Sequence, residues 1–218
     1  MFRVNPYRGV LIVIEGIDGS GKSLQVERLA KRIAQPGSQV VLTEEPWFER
    51  RNEDALRLKR SLAGKEVISP VEHQRLHVRL RERHLAEFVI PALQQRAVVI
   101  TDRYYLSTFA YGAASGSMSF DDVVELHSRE APHSFFPDCT IILDLPVDDA
   151  LARLVKDREA LSLFEKRTTL ERVQRAYREF ADIFPDRNVY LVDATGTIEE
   201  VSARVEAIAR AAITVKSA

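Results

Sequence analysis

The amino-acid sequence predicts an α/β fold, a single doubly wound domain with helices on both faces of a five-stranded parallel sheet. Three observations support this prediction. Short β-branched runs alternate with longer segments of helical period, and the runs are apolar throughout rather than alternating in polarity. A glycine-rich turn joins the first run to the first helical segment. Since no linker, repeat or low-complexity tract interrupts the pattern, we treat residues 1–218 as one domain.

The composition suits a folded domain of this size. Of the 218 residues, 45% are hydrophobic and 29% are charged, which is typical of a globular protein. The formal net charge of -1 gives no field that would attract nucleic acid, and we expect no nucleic-acid partner. A lone cysteine, Cys139, excludes an internal disulfide and indicates a reducing, cytoplasmic location. No apolar run reaches the roughly 18 residues of a membrane span, so we expect no membrane association.

The predicted strands are short apolar runs. They cover residues 10–15, 39–43, 97–101, 140–145 and 188–192. Strands of a parallel sheet are covered on both faces, which explains continuous apolar runs in place of alternation. We therefore expect all five to be buried.

Helical segments are predicted between and after these strands. The first has apolar residues at helical spacing, namely Val26, Leu29, Ala30 and Ile33. A long helix opens with a capping Ser69 and with Pro70 in its first turn, and it runs toward residue 93. We expect Pro91 to bend or end it. Further helical periods cover residues 170–184 and 198–213.

Residues 16–23 contain the strongest chemical signal. They read Gly-Ile-Asp-Gly-Ser-Gly-Lys-Ser, which fits the P-loop pattern G-x-x-x-x-G-K-[ST] between a strand and a helix. Glycines let backbone N–H groups turn toward phosphate oxygens, and the helix adds its positive end. Lys22 supplies a point charge, and Ser23 is placed to ligate Mg²⁺. The fold is thus of the P-loop NTP hydrolase type. We predict nucleotide binding through Gly16, Asp18, Gly19, Ser20, Gly21, Lys22 and Ser23.

Asp102 and Arg103 follow the third predicted strand. The carboxyl ends of parallel strands face the ligand crevice, so both side chains should lie beside the P-loop. A carboxylate in that place can hold a magnesium-bound water or steer an acceptor. An arginine can clamp a second phosphate with two hydrogen bonds.

In combination, these motifs resemble those of the thymidylate kinase family, over residues 10–213. The matching elements are residues 14–23, Glu45-Pro46, Asp102-Arg103-Tyr104, Ser107, Thr108, Ala110, Tyr111, Phe136-Pro137-Asp138, Asp144 and residues 173–177. The resemblance implies transfer of the γ-phosphoryl group of ATP to the 5′-phosphate of dTMP. It also implies a mobile lid and a homodimer.

The resemblance assigns roles to individual residues. It implies that Lys22 and Ser23 bind ATP and Mg²⁺, and that Asp18, the Glu45-Pro46 pair and Asp102 lie in the acceptor and metal region. It implies that Arg81 and Arg103 bind the acceptor phosphate. The sugar and base would be contacted by Tyr104, Ser107, Thr108 and Tyr111.

Spacing supports the placement of Arg81. His77 and Arg81 are four residues apart on the helix that opens at Pro70, so both project from one face. We expect His77 near a base and Arg81 near its phosphate.

Residues 153–167 are predicted to form the lid. Phosphoryl transfer needs charge stabilisation around the γ-phosphoryl oxygens, and no arginine lies between the outer glycines of the P-loop. The lid must then supply the cation. We expect Arg158 first, and Arg153 second, in this role.

Four positions depart from the family pattern on the acceptor side. Glu44 replaces an arginine, Trp47 a glycine, His77 a phenylalanine that stacks on thymine, and Gly112 a frequent glutamine. Two alternatives therefore stay open: a kinase for another (deoxy)nucleotide or nucleoside, and a P-loop regulator with weakened catalysis. The least favoured reading is a nucleic-acid-associated ATPase that uses the basic stretch 50–83.

Overall fold

The five apolar runs form the parallel sheet that the sequence predicts. In the computed structural model, which describes residues 3–48, 52–157, 166–183 and 187–217, the main sheet has the strand order β3-β4-β2-β6-β7. The strands along the described chain are β1 (Arg3–Val4), β2 (Val10–Gly16), β3 (Val40–Glu44), β4 (Val98–Asp102), β5 (Phe135–Phe136), β6 (Cys139–Asp144) and β7 (Val189–Asp193).

The helices alternate with these strands. They are α1 (Lys22–Ile33), α2 (Glu53–Leu62), α3 (Pro70–His84), α4 (Ile90–Gln94), α5 (Tyr105–Ser115), α6 (Phe120–Glu130), α7 (Val147–Asp157), α8 (Arg167–Ile183) and α9 (Ile198–Ser217). Helices α1 and α9 pack together against the sheet, and α5 and α8 form a second such pair. Every residue of the central strand β2 is buried, so helices cover both of its faces. The predicted fold class is confirmed.

Strand register brings the motifs to one edge of the sheet. Ile14 of β2 and Glu44 of β3 both pair with Asp102, the last residue of β4. On the other side of β2, Gly16 pairs with Leu143 of β6. The P-loop, the Asp102-Arg103 motif and the turn after β3 therefore start from neighbouring strand ends.

The outer strands are less buried than the sequence indicates. Leu42 of β3 is 42% exposed and Leu191 of β7 is 45% exposed. The expectation that all five strands are buried was wrong for these two, because they lie at the sheet edges. An apolar run does not reveal whether its strand is central or lateral.

The long helix that begins at Pro70 is interrupted as expected near Pro91. Its cap is the predicted one, since the Ser69 hydroxyl accepts from the backbone N–H of Glu72 at 3.1 Å. A π-helical turn, Leu85–Val89, separates α3 from α4, and Pro91 lies in the first turn of α4. A proline lacks the N–H for the preceding turn and clashes with the carbonyl four residues earlier, so the helix widens there.

Some elements have no counterpart in the predictions. Strands β1 and β5 form a separate two-stranded parallel sheet, and α2 and α6 were not predicted. None of the helices in the described ranges combines the length and hydropathy that a bilayer-spanning segment needs.

Candidate active site

The turn between β2 and α1 has a backbone that requires glycine. Gly19 has a φ of +83°, and a Cβ atom there would lie 2.5 Å from the carbonyl oxygen of Ala150. Gly21 precedes α1 with a φ of 92°. The free N–H groups at the start of α1 therefore open onto a turn without side-chain obstruction at these positions, as phosphate binding requires.

Lys22 is buried beside this turn. Its Nζ atom donates to the carbonyl oxygen of Ile17 at 2.9 Å and lies 3.7 Å from Oδ1 of Asp18. Burial and the positive charge of Arg103 lower the pKa of Lys22 to about 8, against the opposing effect of three nearby carboxylates. The nearby carboxylates thus do not fully balance the positive charge of the ammonium group, and an anionic ligand would do so.

Ser23 and Asp102 form a pair of oxygen donors next to Lys22. The Ser23 hydroxyl donates to Oδ2 of Asp102 at 2.6 Å. The other carboxylate oxygen, Oδ1, is buried and has no hydrogen-bond partner among the residues that the structure describes. A hydroxyl and a carboxylate with one buried, unpartnered oxygen are ligands that suit Mg²⁺, so these residues fit the ion that the resemblance implies.

Arg103 connects the P-loop to α5. Its backbone φ of 70° lies in the left-handed region, which residues with side chains seldom adopt. The guanidinium pairs with Asp18 and donates to the hydroxyls of Ser107 at 3.1 Å and Tyr111 at 3.4 Å. Burial alone would raise the pKa of Asp18, but the charges of Arg103 and Lys22 and hydrogen bonds hold it at about 2. Asp18 is therefore an anion that fixes the arginine.

Glu15 is a buried carboxylate beneath this arginine. One of its oxygens accepts from the backbone N–H groups of Tyr104 at 2.8 Å and Ser107 at 3.2 Å. The other accepts from the hydroxyls of Ser107 at 2.7 Å and Tyr177 at 2.9 Å. Burial raises the pKa of Glu15 despite these bonds and the charge of Arg103. The carboxylate thereby caps the start of α5 from a neighbouring strand.

Arg81 forms a buried ion pair with Glu45 in the wall of the site. Its Nε and Nη2 atoms donate to Oε2 of Glu45 at 2.8 and 2.6 Å. Its Nη1 atom contacts Oγ1 of Thr108 at 2.9 Å and Nε2 of His127 at 2.8 Å. Nδ1 of His84 lies 3.3 Å from the second oxygen of Glu45. Burial and the charge of Arg81 lower the pKa of His127 to about 3, so its ring is a neutral acceptor.

A cavity of about 600 Å³ joins these groups. It is lined by fourteen of the residues predicted from the sequence: Asp18, Gly19, Gly21, Lys22, Ser23, Glu45, Pro46, His77, Arg81, Arg103, Ser107, Thr108, Tyr111 and Arg153. Arg153 lies beside the P-loop, with Nη1 3.5 Å from the carbonyl oxygen of Gly19.

Other predicted residues do not line the cavity. Tyr104 was expected at the sugar or base, but the structure places it in the core, 2% exposed, with its ring 5.2 Å from the guanidinium carbon of Arg81. Its neighbour Arg103 takes the outward direction because of the left-handed turn. Gly16 and Ser20 belong to the P-loop but not to the cavity wall, and Asp102 lies behind Ser23. Arg158 lies outside the described residues.

The cavity also has walls that sequence reasoning missed. They are Leu24, Leu62, His73, Gln74 and Leu154. Helical spacing from His77 offered a signal for His73 and Gln74, which lie four and three residues before it on α3. Leu62 ends α2, which was not predicted, so its place could not be expected.

Comparison with known proteins identifies the family. The protein-family model described as thymidylate kinase matches residues 14–205. The chain belongs to the thymidylate kinase family. This confirms the resemblance found in the motifs, and membership in the thymidylate kinase family makes the chain a phosphotransferase.

Individual thymidylate kinases are similar over nearly their full length. A probable thymidylate kinase of Pyrococcus horikoshii is 35% identical over 93% of this chain and 97% of the relative. The thymidylate kinase of Cereibacter sphaeroides is 36% identical over 90% of this chain and 92% of its own. The thymidylate kinase of Xanthomonas oryzae pv. oryzae is 35% identical, with coverages of 94% and 85%.

Proposed function

We propose that this protein transfers the γ-phosphoryl group of ATP to the 5′-phosphate of dTMP. One observation carries the proposal: a single cavity is lined by Lys22 and Ser23 at the P-loop and by His77 and Arg81 from α3. Two anionic substrates can therefore meet in one space. Family membership and the names of the similar proteins support dTMP as the acceptor.

ATP would be held by the backbone of the P-loop and by Lys22. The lysine has a depressed pKa in the free protein, and the phosphates of ATP would restore its charged form. Ser23 and Asp102 would hold Mg²⁺, which neutralises charge on the ATP phosphates when it is bound. Bound in this way, the terminal phosphoryl group faces the cavity.

The acceptor would be held by the two arginines and the aromatic side chains. Of the five N–H donors of Arg81, four have partners in the described structure, which leaves one on Nη2 for an acceptor phosphate. Arg103 is oriented toward the P-loop by Asp18. His77 offers a ring for stacking on the base.

The reaction needs no general base from the protein. The attacking atom is a phosphate oxygen of dTMP, which is already anionic near neutral pH, so no proton has to be removed. What the chain must supply is alignment and positive charge. Arg153, beside Gly19, is placed to supply charge. We also propose that Arg158 supplies charge, that residues 153–167 form a lid, and that the lid belongs to a single domain.

A coupled assay of ADP formation tests the function. ATP and Mg²⁺ are supplied with dTMP, dUMP, dCMP, dGMP or thymidine, and Lys22→Ala is the control for turnover at this site. We expect turnover that depends on dTMP and falls by orders of magnitude in the variant. Turnover that requires a polynucleotide instead, or no turnover with any acceptor, would refute the proposal.

Two further expectations are part of the proposal. We propose a homodimer, as the resemblance implies, and a cytoplasmic location, as the lone cysteine indicates. Sedimentation analysis of the purified chain tests the first of these.

A further inference from the structure

The ion pair with Glu45 holds Arg81 at a single oxygen atom. Nε and Nη2 of the arginine both donate to Oε2 of Glu45, at 2.8 and 2.6 Å. Two parallel hydrogen bonds to two oxygens fix the plane of a guanidinium group, whereas two bonds that converge on one oxygen leave that oxygen as a pivot. The orientation of Arg81 therefore depends on what holds its remaining nitrogen, Nη1.

Two side chains contact Nη1 of Arg81. Oγ1 of Thr108 lies at 2.9 Å and Nε2 of His127 at 2.8 Å. Thr108 lines the cavity and its hydroxyl can rotate, so a ligand can compete for it. His127 is fully buried on α6 and does not line the cavity. Its ring therefore holds Arg81 from outside the space that a ligand would occupy.

The ring of His127 is itself fixed in position. Nδ1 lies 2.8 Å from the carbonyl oxygen of Val123, one turn earlier on α6. A carbonyl oxygen only accepts, so Nδ1 carries the proton and Nε2 is an acceptor. Arginine only donates, so the contact with Nη1 requires the same tautomer. The ring also stacks on Phe109 of α5, with centroids 5.8 Å apart and an angle of 3° between the planes.

We propose that His127 is a positioning residue that orients Arg81 for the acceptor. Glu45, Thr108 and His127 together take four of the five N–H groups of the arginine, so that one on Nη2 is left for a ligand. A second carboxylate at this place would cancel more of the positive charge, whereas a neutral ring preserves it. This inference rests on the proposed function, and it extends the site to a helix that contributes none of the described cavity wall.

The test compares His127→Leu with His127→Gln. Leucine fills the buried space without an acceptor, whereas the amide oxygen of glutamine reaches about as far as Nε2 and can accept from Nη1. His133→Leu makes the first change at a histidine whose side chain is 50% exposed beside Glu82. Steady-state kinetics with dTMP and ATP, dTMP binding by calorimetry and the melting temperature are measured for each variant.

We expect His127→Leu to raise the KM for dTMP by about 10- to 100-fold, with the KM for ATP within about twofold of the wild-type value. His127→Gln should recover most of this loss, and His133→Leu should match the wild type. An unchanged dTMP KM in His127→Leu, or an equal rise in the ATP KM, would overturn the inference. If His127→Leu does not fold, His127→Asn takes its place, because its shorter side chain can bond to Val123 but does not reach Arg81.

A second substitution separates positioning from a structural role. Arg81→Lys keeps a positive charge beside Glu45 but lacks the nitrogen that meets His127. If His127 acts through Arg81, adding His127→Leu to Arg81→Lys should change the dTMP KM by less than about twofold. A rise by the same factor as in the wild-type background would show that His127 acts independently of Arg81, and would refute a positioning role.

¹⁵N NMR of the histidine rings tests the contact without a ligand. Burial and the charge of Arg81 lower the pKa of His127 to about 3, so from about pH 5 to 8 its signals should be those of a neutral ring with a proton on Nδ1. The signals of His127 are the ones that disappear in His127→Gln. A proton on Nε2, or titration in this range, would refute the contact. If the wild type neither binds nor turns over a monophosphate, the proposed function fails, and these signals still decide whether His127 holds Arg81.

Discussion

Arg81 donates two hydrogen bonds to a single carboxylate oxygen of Glu45, from Nε at 2.8 Å and from Nη2 at 2.6 Å. The two side chains are only 2% and 4% exposed. The pair ties α3 to the segment after β3, and both elements line the cavity. A buried charge that loses its partner is strongly destabilising, so this pair sustains the fold as well as the site.

Replacing Glu45 should therefore destabilise the protein. We expect Glu45→Gln to lower the free energy of unfolding by about 3–5 kcal/mol, because Arg81 would remain charged and buried. Burial alone would raise the pKa of Glu45, but the charge of Arg81 and hydrogen bonds hold it below its ordinary value. The carboxylate thus contributes stability above its ordinary pKa and loses it as the pH falls through the lowered one.

Urea denaturation checks this prediction, with Glu53→Gln as the control. Glu53 pairs with Arg60 at the surface, where the side chains are 76% and 45% exposed. That variant should unfold at the wild-type urea concentration. A Glu45→Gln variant as stable as the wild type at neutral pH would contradict the role of the pair.

Lys22 should make ATP affinity depend on pH near 8. Its pKa is lowered to about 8, first by burial and then by Arg103. Above that pH the free protein holds a neutral amine, so ATP must bind with uptake of a proton and its Kd should rise, by up to about tenfold per pH unit. For the same reason the free energy of unfolding of the free protein should increase between pH 8 and the ordinary lysine pKa.

Calorimetric titration of ATP on either side of pH 8 measures this effect. Lys22→Arg carries a charge that does not titrate in this range, so its weaker binding should not depend on pH. Neighbouring phenols do not confuse the result, because burial raises the pKa of Tyr111 well above this range. A wild-type Kd that is constant between pH 7 and 9 would exclude a depressed lysine pKa.

Local sequence patterns were sufficient to predict the parts of the fold that depend on residues close together in the chain. The central strand, the P-loop and the capped start of α3 each follow from a few neighbouring residues. The sheet of β1 and β5 could not be predicted, because each strand has two residues and the pairing joins Arg3 to Phe135 across the chain. Likewise, whether an apolar strand lies at an edge depends on the order of strands, which local patterns do not determine.

The residues of the site likewise divide into those that the sequence could predict and those that it could not. Residues in the P-loop and beside Asp102 could be predicted because motif spacing places them at strand ends. His127 could not, since it reaches Arg81 from α6 over 46 positions of the chain. Gln74 lies next to His73 in an arginine-rich helix, and only the packing of α3 against α2, α5 and α6 distinguishes its buried residues from the exposed ones.

Asp102 should determine the affinity for Mg²⁺. Its Oδ1 atom is buried without a hydrogen-bond partner in the described structure, and Oδ2 accepts from Ser23 at 2.6 Å. Asp102→Asn keeps the shape and removes the charge, so the Mg²⁺ concentration for half-maximal activity should rise about 10- to 100-fold. Asp193→Asn, at the exposed end of β7, is the matched control and should leave it unchanged. Equal magnesium dependence in both variants would remove Asp102 from the metal site.

Glu15 should control the position of α5 and, through it, the acceptor side of the cavity. Its carboxylate accepts four hydrogen bonds, two of them from backbone N–H groups at the start of the helix. In Glu15→Gln the amide oxygen can replace only one carboxylate oxygen, and the NH₂ group then faces the hydroxyls of Ser107 and Tyr177. We expect a loss of about 1–3 kcal/mol in the free energy of unfolding.

The kinetic consequence separates a positioning role from a purely structural one. Ser107 lines the cavity and accepts from Arg103, so a displaced α5 should raise the KM for dTMP in Glu15→Gln and leave the KM for ATP near its wild-type value. Tyr177→Phe removes one of the four donors and keeps the carboxylate, and it should produce a smaller change in the same direction. If Glu15→Gln lowers stability but changes neither KM, the carboxylate supports the core alone and does not position the acceptor.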